Sequence, residues 1–129
     1  PDAPFTHPEN EQLRQWWSRD GDSCVGLQET LRSLQEIWNA DASFVGIMGF
    51  SQGARLAHLT TICHEQQPET CFPGLKFVVM VAGYEAPLPK ELKDLGILPN
   101  LNHLQTPSLH VWGLSDKLIT PEQSSAVQE

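Results

Sequence analysis

Apolar and polar positions divide the chain into short apolar runs and longer segments with helical periodicity. The apolar runs cover residues 44–48, 75–82 and 108–112, and a glycine follows each of them directly or within one residue. Runs this short, ended by turn residues, are typical of strands that are buried on both faces. Because helical segments alternate with them, the pattern predicts an α/β domain with a doubly wound, mostly parallel sheet.

The helical segments have recognisable beginnings. Asp22 or Ser23 is expected to cap a helix that runs to about Asn39. Its apolar face consists of residues spaced by three and four: Cys24, Leu27, Leu31, Leu34 and Trp38. A second helix is predicted after residue 53, and a third opens at Pro121, since proline suits the first helical position. The proline-rich segment 1–7 is predicted to be extended, with no helix or strand of its own.

Between the first apolar run and the second helix stands GFSQG, residues 49–53, a G-x-S-x-G pattern. A strand, a sharp turn with serine at its tip and a helix form the context of a nucleophile elbow, the turn that presents the catalytic serine in α/β-hydrolases. Ser51 would be strained there, and Gly49 and Gly53 would leave room for the adjoining strand and helix. The N–H of Gln52 would face an oxyanion on the substrate. Three fixed positions also match by chance, so the prediction depends on the flanking elements.

Three polar side chains follow the ends of the predicted strands: Ser51, Tyr84 and Asp116. Ligands of open α/β sheets bind beyond the carboxyl ends of the strands, so these residues are expected at one shared site, with Tyr84 as a substrate contact. The pair Trp16-Trp17 is interpreted in two ways, as a packing anchor or as the rim of a pocket. In the second interpretation Trp17 also contacts the substrate.

The segment 85–106 is rich in leucine and contains three prolines. It is too apolar for a solvated loop and too interrupted for one helix. Two interpretations stay open: a connection with one short crossover helix, or a partial lid whose leucines line an acyl pocket.

A serine nucleophile needs a base, and the base needs a carboxylate that fixes its tautomer. In α/β-hydrolases the order along the chain is serine, acid, histidine. Asp116 fits the acid, although an aspartate after a strand is also ordinary turn chemistry. No histidine follows it. The histidines that precede it are interpreted as surface or packing residues: His7, His58, His64, His103 and His110.

Composition narrows the choice of partner. The chain has 129 residues and a formal net charge of −8, which argues against nucleic acid or an anionic membrane as the main partner. The expected partner is the small-molecule substrate of the serine site. No apolar run is long enough to span a membrane. The three cysteines lack metal-ligand spacing, so neither a metal nor another cofactor is predicted. Cys24 and Cys63 fall on helical patterns and are expected to be buried thiols in a reducing compartment, the cytoplasm. The oligomeric state stays open.

Three stretches of the sequence resemble a known family. GFSQGARLA, FVVMVAGY and PSLHVWGLSDKLITPEQS are similar to the FSH serine hydrolases, and within them to the ovarian-cancer-associated gene 2 type of esterase. The initial DAP and the Trp pair match as well. The resemblance implies an α/β-hydrolase fold and hydrolysis of carboxylic esters, with medium or long acyl chains. It assigns Ser51 as nucleophile, Asp116 as acid and the Gln52 N–H as oxyanion donor.

The resemblance also implies parts that the 129 residues do not contain. The family's first strand and its second oxyanion donor are expected before Pro1, and its catalytic histidine beyond Glu129. The chain is therefore expected to be a single, incomplete α/β-hydrolase domain that is inactive by itself. Two alternatives stay open. One is a thioesterase like the acyl-protein thioesterases, and the other is an inactive hydrolase-fold module that binds acyl ligands or a protein.

Overall fold

The computed structural model describes residues 2–99 and 103–128. Four short strands form two antiparallel hairpins, β1 (Phe5–His7) with β2 (Asn10–Gln15) and β3 (Ser18–Asp20) with β4 (Ser23–Val25). Helices and strands then alternate: α1 (Leu27–Ala40), β5 (Gly46–Phe50), α2 (Gln52–Gln66), β6 (Phe77–Val81), α3 (Lys90–Asp94), β7 (Ser108–Val111) and α4 (Pro121–Gln128).

The strands β5, β6 and β7 form a parallel sheet with β6 in the centre. Phe50 is level with Val81, and Val81 is level with Val111, so the three strands end together. This sheet and its helices confirm the predicted α/β fold. The strand β5 lies two residues later than predicted, because pairing with β6 begins at Gly46 and continues through Phe50.

The prediction that residues 1–7 hold no strand is wrong, because Phe5–His7 pairs with β2. The guanidinium of Arg14 on β2 donates to the carbonyls of Ala3 and Pro4 at 2.9 and 2.7 Å. A proline-rich start can pair as a strand where its carbonyl groups, rather than its missing N–H groups, face the partner.

The predicted start of α1 is also wrong. Ser23 lies in β4, and α1 begins at Leu27 after Gly26, whose φ of 91° is left-handed and separates strand from helix. The side chain of Glu91 on α3 accepts hydrogen bonds from the Ser23 hydroxyl and the Cys24 N–H, which keeps β4 extended. Cys24 therefore lies on a strand rather than on a helical face, although it is buried as predicted.

The two faces of the parallel sheet differ. On one face α2 packs Ala54 and Ala57 against Val78 and Met80, and Val127 of α4 joins the same cluster. The opposite face presents exposed apolar side chains: Met48, Phe50, Phe77, Leu109 and Val111. Apolar residues on both faces are typical of a parallel sheet that is covered on both sides.

The segment after β6 contains the short helix α3, so the interpretation as a crossover with one helix is confirmed. Leu92 of α3 is fully buried in the core that α1 and α2 form. Leu95 and Leu98 are exposed, and Leu101 lies outside the described residues. Leu92 is therefore the leucine that anchors this connection in the core.

Candidate active site

Ser51 occupies the turn between β5 and α2 in a conformation that L-residues rarely adopt. Its φ is 53° and its ψ is −116°. Two backbone hydrogen bonds fix it, since its N–H donates to Val81 at 2.9 Å and its carbonyl accepts from Arg55 at 3.1 Å. Such a conformation costs about 1–3 kcal/mol and persists only where the surroundings enforce it. The strain that the sequence predicts at Ser51 is thus present, and the role of Ser51 as nucleophile stays a prediction.

The two glycines of the motif are constrained to different degrees. A Cβ atom on Gly49 would lie 2.0 Å from the carbonyl oxygen of Gly53 and 2.7 Å from the backbone nitrogen of Ala54. These are backbone atoms and cannot move away without breaking the turn. A Cβ atom on Gly53 would instead lie 3.3 Å from Nε1 of Trp16, a side chain that can adjust. The elbow therefore requires glycine at position 49 more strictly than at position 53.

The side chain of Gln52 ties the elbow to the junction between β2 and β3. Its Oε1 accepts from the N–H of Trp16 at 2.6 Å, and its Nε2 donates to the carbonyl of Trp17 at 3.0 Å. Within the described residues no acceptor is recorded for the backbone N–H of Gln52, so this donor stays available to a ligand. Sequence reasoning assigned the backbone group and missed the role of the side chain.

Asp116 lies in the loop after β7, and that loop holds its carboxylate. Oδ1 accepts from the N–H groups of Leu118 and Ile119 at 2.9 and 3.0 Å, and the Asp116 N–H donates to Gly113 at 3.2 Å. The neighbouring Leu114 and Leu118 are 86% and 89% exposed. Two backbone N–H groups of its own loop thus orient the carboxylate.

Ser51, Tyr84 and Asp116 follow strands that end level, so all three lie along one edge of the sheet. No hydrogen bond between Ser51 and Asp116 is recorded in the described part of the chain. In a serine triad these two residues do not contact each other, because the histidine lies between them.

A cavity of about 370 Å³, here called the elbow cavity, opens beside the serine turn. Six of its lining residues are His7, Trp17, Arg19, Gln52, Arg55 and Tyr84. Trp17 is 5% exposed and belongs to the main core as well, so it is both a packing anchor and part of a pocket wall. Burial raises the pKa of Tyr84, which keeps its hydroxyl protonated and able to donate. Ser51 and Asp116 do not line this cavity.

A second cavity, of about 420 Å³ and here called the helix-face cavity, lies between α2, β6, β7 and α4. Much of its wall is apolar: Ile62, Val78, Met80, Leu88, Leu104 and Val127. Two leucines of the segment 85–106 thus do line a pocket. Arg55, Ala86 and Pro87 line both cavities and form the wall between them.

Arg55 was missed by sequence reasoning. It is only 3% exposed although it carries a charge. The available signal was a cation in the first turn of a helix whose neighbouring positions are apolar: Ala54, Leu56, Ala57 and Leu59. Buried arginines are rare unless they are paired, so such a position deserves a functional test.

The described histidines lie in different surroundings. His58 and His110 line the helix-face cavity, and burial lowers the pKa of His58 to about 4, with a further contribution from the Arg55 charge. His64 contacts the carbonyl of Cys71 at 3.1 Å. Among the described histidines only His7 lines the elbow cavity, where its Nδ1 accepts from the Glu9 N–H at 3.2 Å. No described histidine is recorded in a hydrogen bond with Ser51 or Asp116.

Two negative findings concern residues 2–99 and 103–128 alone. No group of three or more His, Cys, Asp or Glu side chains could hold a metal ion there. No helix within the same limits has the length and apolar character needed to cross a membrane.

A parallel sheet with a strained serine turn between strand and helix is the arrangement of the α/β-hydrolase fold. The comparison with known families agrees: the family model described as serine hydrolase (FSH1) matches residues 1–129, and the chain belongs to this family.

Curated relatives carry esterase names. The chain is 34% identical to Esterase OVCA2 of Mus musculus, over 96% of this chain and 56% of the relative. It is also 34% identical to Esterase OVCA2 of Homo sapiens, over 91% of this chain and 54% of the relative. With Esterase AGAP003155 of Anopheles gambiae the identity is 30%, over 95% of this chain and 46% of the relative. The chain spans about half the length of these relatives, and no solved structure matches it significantly.

Proposed function

We propose that the protein hydrolyses carboxylic esters through an acyl-enzyme formed on Ser51. The strained backbone of Ser51 between β5 and α2 carries this proposal, because such strain is found where a catalytic group must be presented. The esterase names of the curated relatives support the same reaction class.

In this proposal Ser51 Oγ attacks the ester carbonyl while a histidine takes its proton. The oxyanion accepts from the free backbone N–H of Gln52, and the alcohol leaves with the proton that the histidine returns. Water then attacks the acyl-enzyme and releases the acid. Asp116 would orient the histidine through the carboxylate oxygen that the loop bonds leave open. We propose that this histidine is none of the described ones, since no hydrogen bond between a described histidine and Ser51 or Asp116 is recorded.

The nucleophile is tested by labelling the intact protein with a fluorophosphonate probe. Ser51→Ala should abolish both labelling and turnover of a p-nitrophenyl acyl ester. Ser115→Ala is the matched control, because Ser115 is exposed in the Asp116 loop and should leave both signals unchanged. Labelling that persists in Ser51→Ala, for example at Ser108, would refute the assignment.

Substrate class and compartment are part of the same proposal. The resemblance to the FSH serine hydrolases favours esters with medium or long acyl chains. Turnover of a series of p-nitrophenyl esters and of matched acyl thioesters would distinguish an esterase from a thioesterase. An absence of both turnover and labelling would favour an acyl-binding module instead. We propose the cytoplasm as the compartment, supported by the three cysteines, which are all free thiols.

A further inference from the structure

Arg55 is a buried cation one helical turn beyond Ser51. Its Nη2 donates to the carbonyls of Ala86 and Pro87 at 2.5 and 3.2 Å, and its Nη1 contacts Nδ1 of His58 at 2.9 Å. A guanidinium has five N–H donors. These contacts use three of them, and no acceptor is recorded among the described residues for the N–H of Nε or for the second one of Nη1.

The charge of Arg55 forms no salt bridge within the part of the chain that the structure describes. Among the described residues no carboxylate lies within 4.0 Å of its guanidinium nitrogens. Burial lowers the pKa of Arg55, but a guanidinium stays protonated near neutral pH. Its electrostatic neighbours are Tyr84 and Cys24, which are neutral there, the exposed Glu85, and a second cation, Arg19. Neutral carbonyl groups and the more distant, exposed Glu85 only partly compensate this buried charge. A ligand that brings a negative charge to the free N–H donors would therefore be favoured.

The position of this charge links it to the candidate reaction. Arg55 borders the elbow cavity together with Arg19, Tyr84 and Gln52, and Glu9 is the one carboxylate among the described lining residues. The backbone N–H of Gln52 is the proposed oxyanion donor, and Gln52 and Arg55 lie on the same turn of α2. A substrate whose carbonyl is held at the elbow could therefore place a second group against the two guanidiniums.

We propose that Arg55 binds a carboxylate group of the substrate, so that the preferred esters carry a second, ionised carboxyl group. A planar guanidinium with free donors matches a carboxylate, and Arg19 and Tyr84 would add charge and a hydrogen bond at the cavity wall. This inference rests on the proposed function, since it names the substrate class of the same site. The protein as a whole is acidic, so the preference is expected from the cavity and not from the overall field.

The test compares kcat/KM for anionic and neutral esters in the intact protein. Mono-p-nitrophenyl esters of glutaric, adipic and suberic acid are paired with p-nitrophenyl valerate, hexanoate and octanoate. A second arm places the carboxylate on the leaving group, with 4-carboxyphenyl hexanoate paired with its methyl ester. Charged hydrogen bonds predict a preference of about 10- to 100-fold for the anionic member in one of the arms. The arm that shows it identifies the side of the ester that reaches Arg55.

Variants distinguish two roles of Arg55: recognition of a negative charge, and packing in the wall between the two cavities. Arg55→Met keeps a long apolar stem and should reduce the preference to about one, whereas Arg55→Lys should keep part of it. Arg32→Met removes an exposed cation of α1 and should leave the preference unchanged. If Arg55 serves only in packing, Arg55→Met should lower kcat/KM equally for neutral and anionic esters. That result would refute the proposal. An equal or better rate for the neutral ester of every pair in the wild type would refute it too.

Binding provides a second measurement that does not need a folded Arg55 variant or an active enzyme. Isothermal titration of the wild-type protein with glutarate, adipate and suberate should detect at least one of them, while the corresponding diamides should not bind. The absence of binding by all three dicarboxylates would refute the anion site. Dicarboxylate binding without ester turnover or probe labelling would instead refute the proposed function and leave the anion site in place.

Discussion

The turn after β5 and the loop after β7 carry the two candidate catalytic residues, and they are held in different ways. Ser51 is fixed by tertiary contacts: a hydrogen bond to β6, a backbone approach at Gly49 that excludes any side chain, and the Gln52 amide bound to the Trp pair. Asp116 is fixed by hydrogen bonds from residues two and three positions further along its own loop. The two strands that precede these loops end at the same level. Only the turn that holds Ser51 is bound to other elements of the fold, and it is called the locked turn below.

This difference has a physical meaning for mutations. A change near Ser51 disturbs several elements at once, so it should affect stability as well as chemistry. A change at Asp116 disturbs one exposed loop, so it should affect chemistry and leave the fold intact. Activity and stability measured on the same variants therefore test the comparison directly.

Among the variants that compare the two loops, the largest effect is expected from Asp116→Asn in the intact protein. The amide can still accept the N–H bonds of Leu118 and Ile119, so the loop and the melting temperature should hardly change. Loss of the negative charge leaves the catalytic histidine in the wrong tautomer, which in serine triads costs about 10⁴ in kcat. Steady-state kinetics and a thermal melt measure both quantities. A loss below about tenfold would point to another carboxylate, with Glu85 and Asp94 tested next.

Gly49→Ala should show the opposite pattern, with a loss of stability first. Its new Cβ atom would lie 2.0 Å from a backbone oxygen, and relief of that contact must shift the strand end or the helix start. Overpacking of this kind costs about 1–3 kcal/mol in the free energy of unfolding, and the displaced Ser51 should lose activity as well.

The matched control is Gly113→Ala in the Asp116 loop. There the nearest atoms to a new Cβ lie 3.9 Å away, in ordinary contact, so the change in stability should stay within about 0.5 kcal/mol. Urea unfolding of both variants measures the difference. Equal losses of stability at positions 49 and 113 would contradict the conclusion that tertiary contacts hold the Ser51 turn while the Asp116 loop is held locally.

The sequence predicts the locked turn better than its surroundings, for a physical reason. Apolar runs and GFSQG encode β5, α2 and the strain at Ser51 within twenty residues, because the constraint is steric and local. The hairpins β1–β2 and β3–β4 were missed, since β4 is held by Glu91, some seventy positions away in the chain. The buried state of Arg55 likewise depends on the loop after β6, which no local pattern reveals.

The last expected effect is a pH dependence of stability that arises mainly on α2, the helix that follows Ser51. His58 on α2 has a pKa lowered from 6.5 to about 4, mainly by burial and then by Arg55 and His110. The unfolded chain therefore binds this proton more readily, and the stability of the fold should fall as the pH drops from about 6.5 to 4. Burial lowers the pKa of His110 as well, which acts in the same direction. The difference for His58 would amount to about 3 kcal/mol at most, and partial exposure of the ring reduces it to about 1–2 kcal/mol.

Urea unfolding at pH 7.0 and 5.0, together with hydrogen exchange, measures this effect. Hydrogen bonds lower the pKa values of Asp41 and Glu122 from 3.8 and 4.5, so these carboxyl groups also reduce stability as the pH falls toward these values. The comparison with a His58 variant separates the histidine from them. His58→Gln keeps an acceptor for Arg55 and should weaken the pH dependence between 7.0 and 5.0, and exchange in wild-type α2 should quicken at pH 5.0 beyond the intrinsic change. An unaltered pH dependence in His58→Gln would contradict the assignment to His58. Faster exchange in the Asp116 loop, with unchanged exchange in α2, would show that low pH destabilises that loop before it destabilises α2.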